Sequence, residues 1–296
     1  MAAMPVTDTP LRYPGGKSQL IPFVIELLRD NDLFYGEYAE PFAGGAGIAM
    51  KLLLNDYVSR VYLNDFDPAI HALWHSILHQ TDELCDRIER VKVNMEEWHR
   101  QRQLYLATSG IEMLDKGFAT LFLNRTNRSG IIKAGVIGGL GQTGNYKIDC
   151  RFIKPDLVRK IRRIAAYRDQ IVLTKLDAAE FLRTVIPTTG KHTLVNLDPP
   201  YYRKGPELYT NFYQKHDHVL LSQAVEKISR RWMVTYDDMP EIRALYAQHP
   251  MYSTNLNYSA QVKRIGTELL VLDPKLKAPA SIHSLRLFDL ELETNC

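Results

Sequence analysis

Cysteine is scarce in this chain of 296 residues: Cys85, Cys150 and Cys296 stand far apart, without zinc-ligand spacing and too few for a disulfide framework. Long apolar runs are missing as well. Nothing approaches a membrane span, and the opening MAAMPVTDTPLRYPGGK lacks the apolar core of a secretory signal, so a cytoplasmic protein with no membrane partner is expected. The absence of internal repeats and low-complexity segments sets aside solenoids and disordered tracts. Net charge is only +3, too little to establish nucleic-acid binding by itself. What is present, 45% hydrophobic and 24% charged residues, suits a soluble globular protein, long enough for one large α/β domain or for a core with a sizeable insertion.

Elements alternate along the chain. Lys17 to Arg29 reads as a helix with an apolar series in Leu20, Ile21, Val24, Leu27 and Leu28. A short strand at 37–41 runs into the turn Phe42-Ala43-Gly44-Gly45-Ala46-Gly47, a helix follows over 48–54, and 60–64 forms a second strand ending at Asp65, which completes a βαβ unit. From 68 to 168 the rhythm breaks into helical patterns and a glycine-rich stretch. Strands resume at 171–174, 194–197 and 232–235, and 252–258 with 268–272 reads as an antiparallel hairpin around AQVKRIGT.

Asp198-Pro199-Pro200-Tyr201 follows the apolar run 193–197 at the end of a buried strand. The prolines fix φ and have no N–H, so the turn is stiff and its carbonyls stay free to accept from a ligand. A carboxylate, those carbonyls and a flat ring suit a planar base bearing an exocyclic amine; an ordinary strand-ending turn has the same composition. In the glycine turn, Gly44, Gly45 and Gly47 permit close backbone approach at a helix start, and Asp65 lies where an acid can accept from ribose hydroxyls. These glycines do not spell G-x-G-x-x-G, which favours a smaller adenosine ligand such as S-adenosylmethionine over a dinucleotide. Tight strand–helix packing is the competing explanation. Arg12-Tyr13-Pro14-Gly15-Gly16-Lys17 places an aromatic, two glycines and a cation before the first helix, which alone is a plausible capping turn.

YPGGK, EPFAGGAG, the acid after the second strand and DPPY, in this order and spacing, resemble the Dam-like (D12 class) DNA adenine N6-methyltransferase family from Leu11 to about Asp273. The resemblance implies an α/β class I S-adenosylmethionine-dependent methyltransferase, Rossmann-like, with a mixed sheet, a C-terminal antiparallel hairpin and an inserted, mostly helical DNA-recognition module. It divides the chain into a catalytic domain, 1–70 and 168–296, and a target-recognition domain, 71–167. It implies Tyr13 and Lys17 along the cofactor, Phe42, Gly44, Gly45 and Gly47 under its methionine portion, Asp65 on the ribose, Asp177 at the adenine amino group and Asp198 at the cofactor as well as the target base, with Phe181 a further candidate. It also implies double-stranded DNA as partner, a GATC site as the first to test, and a restriction endonuclease acting separately as a potential companion.

Adenine N6 is a poor nucleophile because its lone pair is delocalised into the ring. Asp198 and the Pro199 carbonyl accepting its two N–H bonds, with Tyr201 stacked on a flipped base, would localise that pair in line with the methyl. Direct transfer needs no enzyme nucleophile and no metal. Within LFLNRTNRSGI (121–131), Asn124, Arg125, Asn127 and Arg128 have the side-chain types that read base edges, whereas Lys133, Lys147 and Arg151 suit phosphates. The arginines of KPDLVRKIRRIAAYRDQI favour a solvated helix face, and Lys263 with Arg264 offers a second phosphate contact. His71, His75 and His79 share a helical face without a completing carboxylate, Asp217 reads as an N-cap, and Asp237 with Asp238 reads as a turn. Cytosine N4 methylation, a nicotinamide-dependent oxidoreductase and a catalytically silent DNA-binding module are the alternatives.

Overall fold

The computed structural model describes residues 8–12, 17–202, 213–258 and 264–283. Its strands are β1 (Glu37–Glu40), β2 (Arg60–Asn64), β3 (Ile171–Thr174), β4 (Thr193–Leu197), β5 (Arg231–Asp237), β6 (Met251–Tyr258) and β7 (Arg264–Leu272). They make one sheet in the order β3-β2-β1-β4-β5-β7-β6. The first five run parallel, and β7 runs antiparallel between β5 and β6. The expected mixed sheet with a terminal hairpin is what forms. The hairpin strands are longer than the sequence pattern indicates, because Arg264 to Thr267, read as part of the tip, pairs with Asn255 to Tyr258.

Alternation within each strand loads both faces of the sheet. Tyr38, Val61, Leu63, Leu194, Met233, Leu270 and Leu272 join one apolar cluster, while Ala39, Tyr62, Val195, Leu197, Val234, Tyr236 and Val271 join the other. The first face is covered by α1 (Ile21–Asp30), α2 (Gly47–Leu53), α3 (Pro68–His79), α4 (Thr81–Arg90), α5 (Met95–Leu106), α6 (Met113–Thr126) and α7 (Lys154–Ala165). The second carries α8 (Ala178–Thr184), α9 (Lys215–Val225) and α10 (Pro240–Leu245). Residues 71–167 lie between β2 and β3, and the helices of this interval share the apolar cluster of α1 and α2. Gly117 lets α6 press on α3: a Cβ there would come within 2.7 Å of the Ala72 carbonyl oxygen.

One local reading shifts. Helix α9 starts at Lys215, and Asp217 is its third residue, accepting from Gln214 N–H (2.7 Å) in a capping box, so Gln214 holds the cap position assigned to Asp217. The arginines of α7 form the expected solvated face: Arg159, Arg162 and Arg163 are exposed and pair at the surface with Asp156, Asp82 and Asp8, while Lys160 is buried against Asp156. Among the described residues no helix is long and apolar enough to cross a membrane.

Candidate active site

The sheet order reverses between β1 and β4, and in an open α/β sheet that is where the loops at the strand C-termini diverge to leave a crevice. Both motif-bearing turns open there. After β1, Gly44 takes φ 46° and Ala46 φ 45°, left-handed conformations that curl the backbone back to start α2. A Cβ added at Gly47 would meet nothing within 4 Å, so the helix start faces open space. Asp65 ties the turn down: its Oδ2 accepts from Gly44 N–H (2.8 Å) and its Oδ1 from Asp67 N–H (2.9 Å). Each oxygen retains a lone pair for a hydroxyl. Burial pushes the Asp65 carboxyl up to about 7 against these two N–H groups.

Asn64, just before Asp65, is a residue that motif reading overlooks. It is fully buried, donates to Pro41 O (3.0 Å) and Leu176 O (2.9 Å), and accepts from Thr174 Oγ1 (2.8 Å) and Leu176 N–H (2.8 Å). One amide thus joins the C-terminal ends of β1, β2 and β3. The next loop brings Asp177, exposed and accepting from Ala179 N–H (2.9 Å) as the cap of α8, while Phe181 is wholly buried in the second cluster.

Phe42 lies edge-on to Tyr213 (centroids 5.7 Å apart), which in turn meets His218 (5.5 Å). Tyr202 and Tyr236 complete the ring of aromatics around His218, at 5.2 and 5.5 Å. Burial raises the Tyr213 hydroxyl above its ordinary value and lowers the His218 imidazole below its own. Asp237, read as part of a turn, accepts the Tyr202 N–H (2.8 Å) and so fixes the segment after the Asp-Pro-Pro-Tyr motif; Asp238 pairs with Arg243 (2.6 Å).

On the first face, the apolar alternation gives way to polar groups at the C-terminal ends of the parallel strands. Asp198 Oδ1 accepts from Thr235 Oγ1 (2.9 Å) and lies 3.2 Å from Lys17 Nζ. Lys17, 8% exposed, also donates to Glu268 and to the Tyr201 hydroxyl (3.3 Å), and its ammonium sits 5.2 Å from the Tyr201 ring centroid. Tyr201 is 9% exposed, and its hydroxyl donates to the other oxygen of Glu268. Pro199 and Pro200 stand between Asp198 and Tyr201 with all peptide bonds trans. Tyr13, Lys263 and residues 203–212 lie outside the described residues, as does the side chain of Arg264.

Beneath this layer, Tyr38 donates to Glu40 Oε1 (3.1 Å), which also accepts from Ala49 N–H (3.3 Å), and Asn196 donates to the Tyr38 hydroxyl (2.8 Å). Burial lifts the Glu40 carboxyl from 4.5 to about 8. A carboxyl raised on folding favours the folded state while it is neutral: that stability is complete below pH 4.5 and is lost as pH rises through about 8. Glu40→Gln is therefore expected to flatten the fall in unfolding free energy between pH 6 and 8.5. Urea titrations at the two pH values check it, and an unchanged fall assigns the pH dependence to other groups.

In the segment 121–131 the side chains divide. Asn124, Arg125 and Asn127 are buried at 1%, 8% and 1% exposure. Asn124 pairs with both the N–H and the carbonyl of Arg12 (2.8 and 2.7 Å) and donates to Gly130 O (2.8 Å). Arg125 Nε donates to Arg151 O (2.7 Å), and burial with Arg12 nearby lowers its guanidinium to about 10. Asn127 accepts from Trp98 Nε1 (2.7 Å) and donates to Ile132 O (2.7 Å). Their hydrogen-bonding groups hold the chain segments around 12, 130 and 151. Arg128, Lys133 and Lys147 are exposed, and Arg151 is half-buried. Lys147 Nζ reaches back to Gln142 O (2.6 Å). The His71 and His75 rings are 6.3 Å apart and those of His75 and His79 4.8 Å, and among the described residues no group of three His, Cys, Asp or Glu side chains is placed to hold a metal.

A family model described as D12 class N6 adenine-specific DNA methyltransferase matches residues 13–261. Among solved structures the chain is similar to the rRNA methyltransferase aviRa from Streptomyces viridochromogenes, with 12% identity, TM-score 0.36, and 84% of this chain and 83% of that one covered. It is also similar to the protein LPL1258 from Legionella pneumophila, with 13% identity, TM-score 0.32, and 90% and 88% covered. No curated protein matches it.

Proposed function

The chain belongs to the D12 class of N6 adenine-specific DNA methyltransferases, and from that premise we propose that it methylates N6 of an adenine flipped out of double-stranded DNA, with S-adenosylmethionine as donor. The observation that carries this reading is Asp198: among the described residues both of its donors, Thr235 and Lys17, sit on Oδ1, which leaves Oδ2 to an incoming amine beside the crevice that begins at the glycine turn. The cofactor fits the residues present. Gly47 opens the helix start to free space and Gly44 curls the turn before it, Phe42 offers an apolar wall, and Asp65 and Asp177 offer carboxylates for ribose and adenine amine; Lys17 lies toward the Asp198 side. When bound it supplies an electrophilic methyl on a sulfonium.

The protein's part is alignment and charge. Asp198 accepts one N6–H and the Pro199 carbonyl the other, which draws the lone pair out of ring conjugation. Tyr201, fixed at its hydroxyl, bounds the pocket with its ring. Asp198 takes the proton that leaves after transfer, with solvent reaching its partly exposed carboxylate.

Residues 71–167 are proposed as the target-recognition module, with Arg128, Lys133, Lys147 and Arg151 carrying the DNA contacts, and with Asn124, Arg125 and Asn127 bracing the loop that presents them. Arg128→Ala and Lys133→Ala should each reduce the salt slope of duplex binding by about 1. Fluorescence anisotropy over a range of salt concentrations measures it, and unchanged slopes for both would move the interface elsewhere.

The test of the function is incubation with labelled S-adenosylmethionine and duplex DNA, GATC-containing duplexes first, followed by nucleoside analysis. N6-methyladenine is the expected product. Methylcytosine without methyladenine would select the N4 alternative, and binding of NAD without binding of S-adenosylmethionine would overturn the reading.

A further inference from the structure

We propose that Glu268 is the positioning residue of the transfer site, dividing the charge of Lys17 away from Asp198 and anchoring the ring of Tyr201. The proposal rests on the adenine-methyltransferase reading for its kinetic consequences, and on the geometry alone for the anchoring. Glu268 lies on β7, paired in register with Asp237, and shares the face of Leu270 and Leu272. It is 2% exposed, and its two oxygens have different partners: one takes Lys17 Nζ, the other the Tyr201 hydroxyl.

A lysine buried against Asp198 alone would place its whole charge on the carboxylate that must attract a weakly acidic amine. Two carboxylates around one ammonium leave the trio with a net negative charge, and the closer contact to Glu268 takes the larger share of the lysine. The same contacts orient the aromatic ring. With its hydroxyl on Glu268 and Lys17 on the ring, Tyr201 cannot swing away from the turn set by Pro199 and Pro200. A carboxylate so deeply buried is costly unless paired, and among the described residues Lys17 and Tyr201 are its two side-chain hydrogen-bond donors. Burial raises the Glu268 carboxyl above its ordinary value, while Lys17 opposes that rise.

The experiment compares the full wild-type chain with Glu268→Gln, and with Glu268→Asp should the first variant fold poorly. In single-turnover assays the variant should transfer methyl about tenfold or more slowly, with S-adenosylmethionine affinity within about threefold. Independently of any methylation, the 13Cζ resonance of Tyr201, assigned with Tyr201→Phe, should move between wild type and variant. A wild-type transfer rate in the variant overturns the catalytic role while leaving the function intact. A Tyr201 resonance that stays in place overturns the anchoring. A wild type that binds S-adenosylmethionine but methylates no adenine refutes the functional reading instead, and the resonance alone then decides for or against Glu268.

Discussion

Asp198→Ala is expected to reduce methyl transfer by about a thousandfold or more, the scale on which loss of one directed hydrogen-bonding group at a reacting centre is felt. Cofactor binding should persist, because Gly44, Gly45, Gly47 and Asp65 stand on β1 and β2 and none of their bonds passes through Asp198. The fold should persist too: Asp198 is partly exposed, and Lys17 retains Glu268 as its partner. Single-turnover transfer to duplex DNA and calorimetric titration with S-adenosylmethionine, run on the same preparation, separate the two effects. Retained transfer would remove Asp198 from the chemistry. Loss of cofactor affinity together with transfer would make it a cofactor ligand first.

Asn64→Ala is expected to have the largest effect on stability, about 3 kcal/mol or more. The side chain makes four hydrogen bonds in a site with no solvent exposure, and its removal strands the Pro41 and Leu176 carbonyls, the Leu176 N–H and the Thr174 hydroxyl. Because these groups belong to the turns after β1 and β3, the variant should also bind S-adenosylmethionine more weakly than its loss of stability explains. Urea unfolding gives the first quantity, and titration well below the unfolding midpoint gives the second. A stability within about 0.5 kcal/mol of wild type would mean that water substitutes for the amide.

The strands could be read from the sequence because their residue types and their partners agree: β2 and β3 occupy the expected residues. Motifs at strand ends were legible for the same reason, since a period of two followed by glycine or proline has few structural solutions. The polar layer behind Asp198 was not, although it left a trace. Glu268 alternates with Leu270 and Leu272, Asn196 with Leu194, and Glu40 with Tyr38, so each is a polar residue at a core-facing position. A hydrophilic side chain there needs a partner, but which partner depends on the register of the whole sheet; Lys17 and Glu268 are 251 residues apart. In the segment 121–131, residue type misleads. Asn and Arg can read bases or hold backbone carbonyls, and the apolar surroundings of Leu121, Phe122 and Leu123 in α6 favour the second use at Asn124 and Arg125.

The reversal of β7 has a consequence for when the site comes into being. Only a strand running against its neighbours can deliver its early residues to the edge where the parallel strands end, and so Glu268 arrives opposite Asp237. Lys17 near one end of the chain and Glu268 near the other close on Tyr201 between them. During synthesis the turns after β1, β2 and β3, joined by Asn64, can take shape while the last strand is still unmade. The polar cluster of Lys17, Tyr201 and Glu268 cannot, so the groups proposed to align the transfer are the last to be assembled.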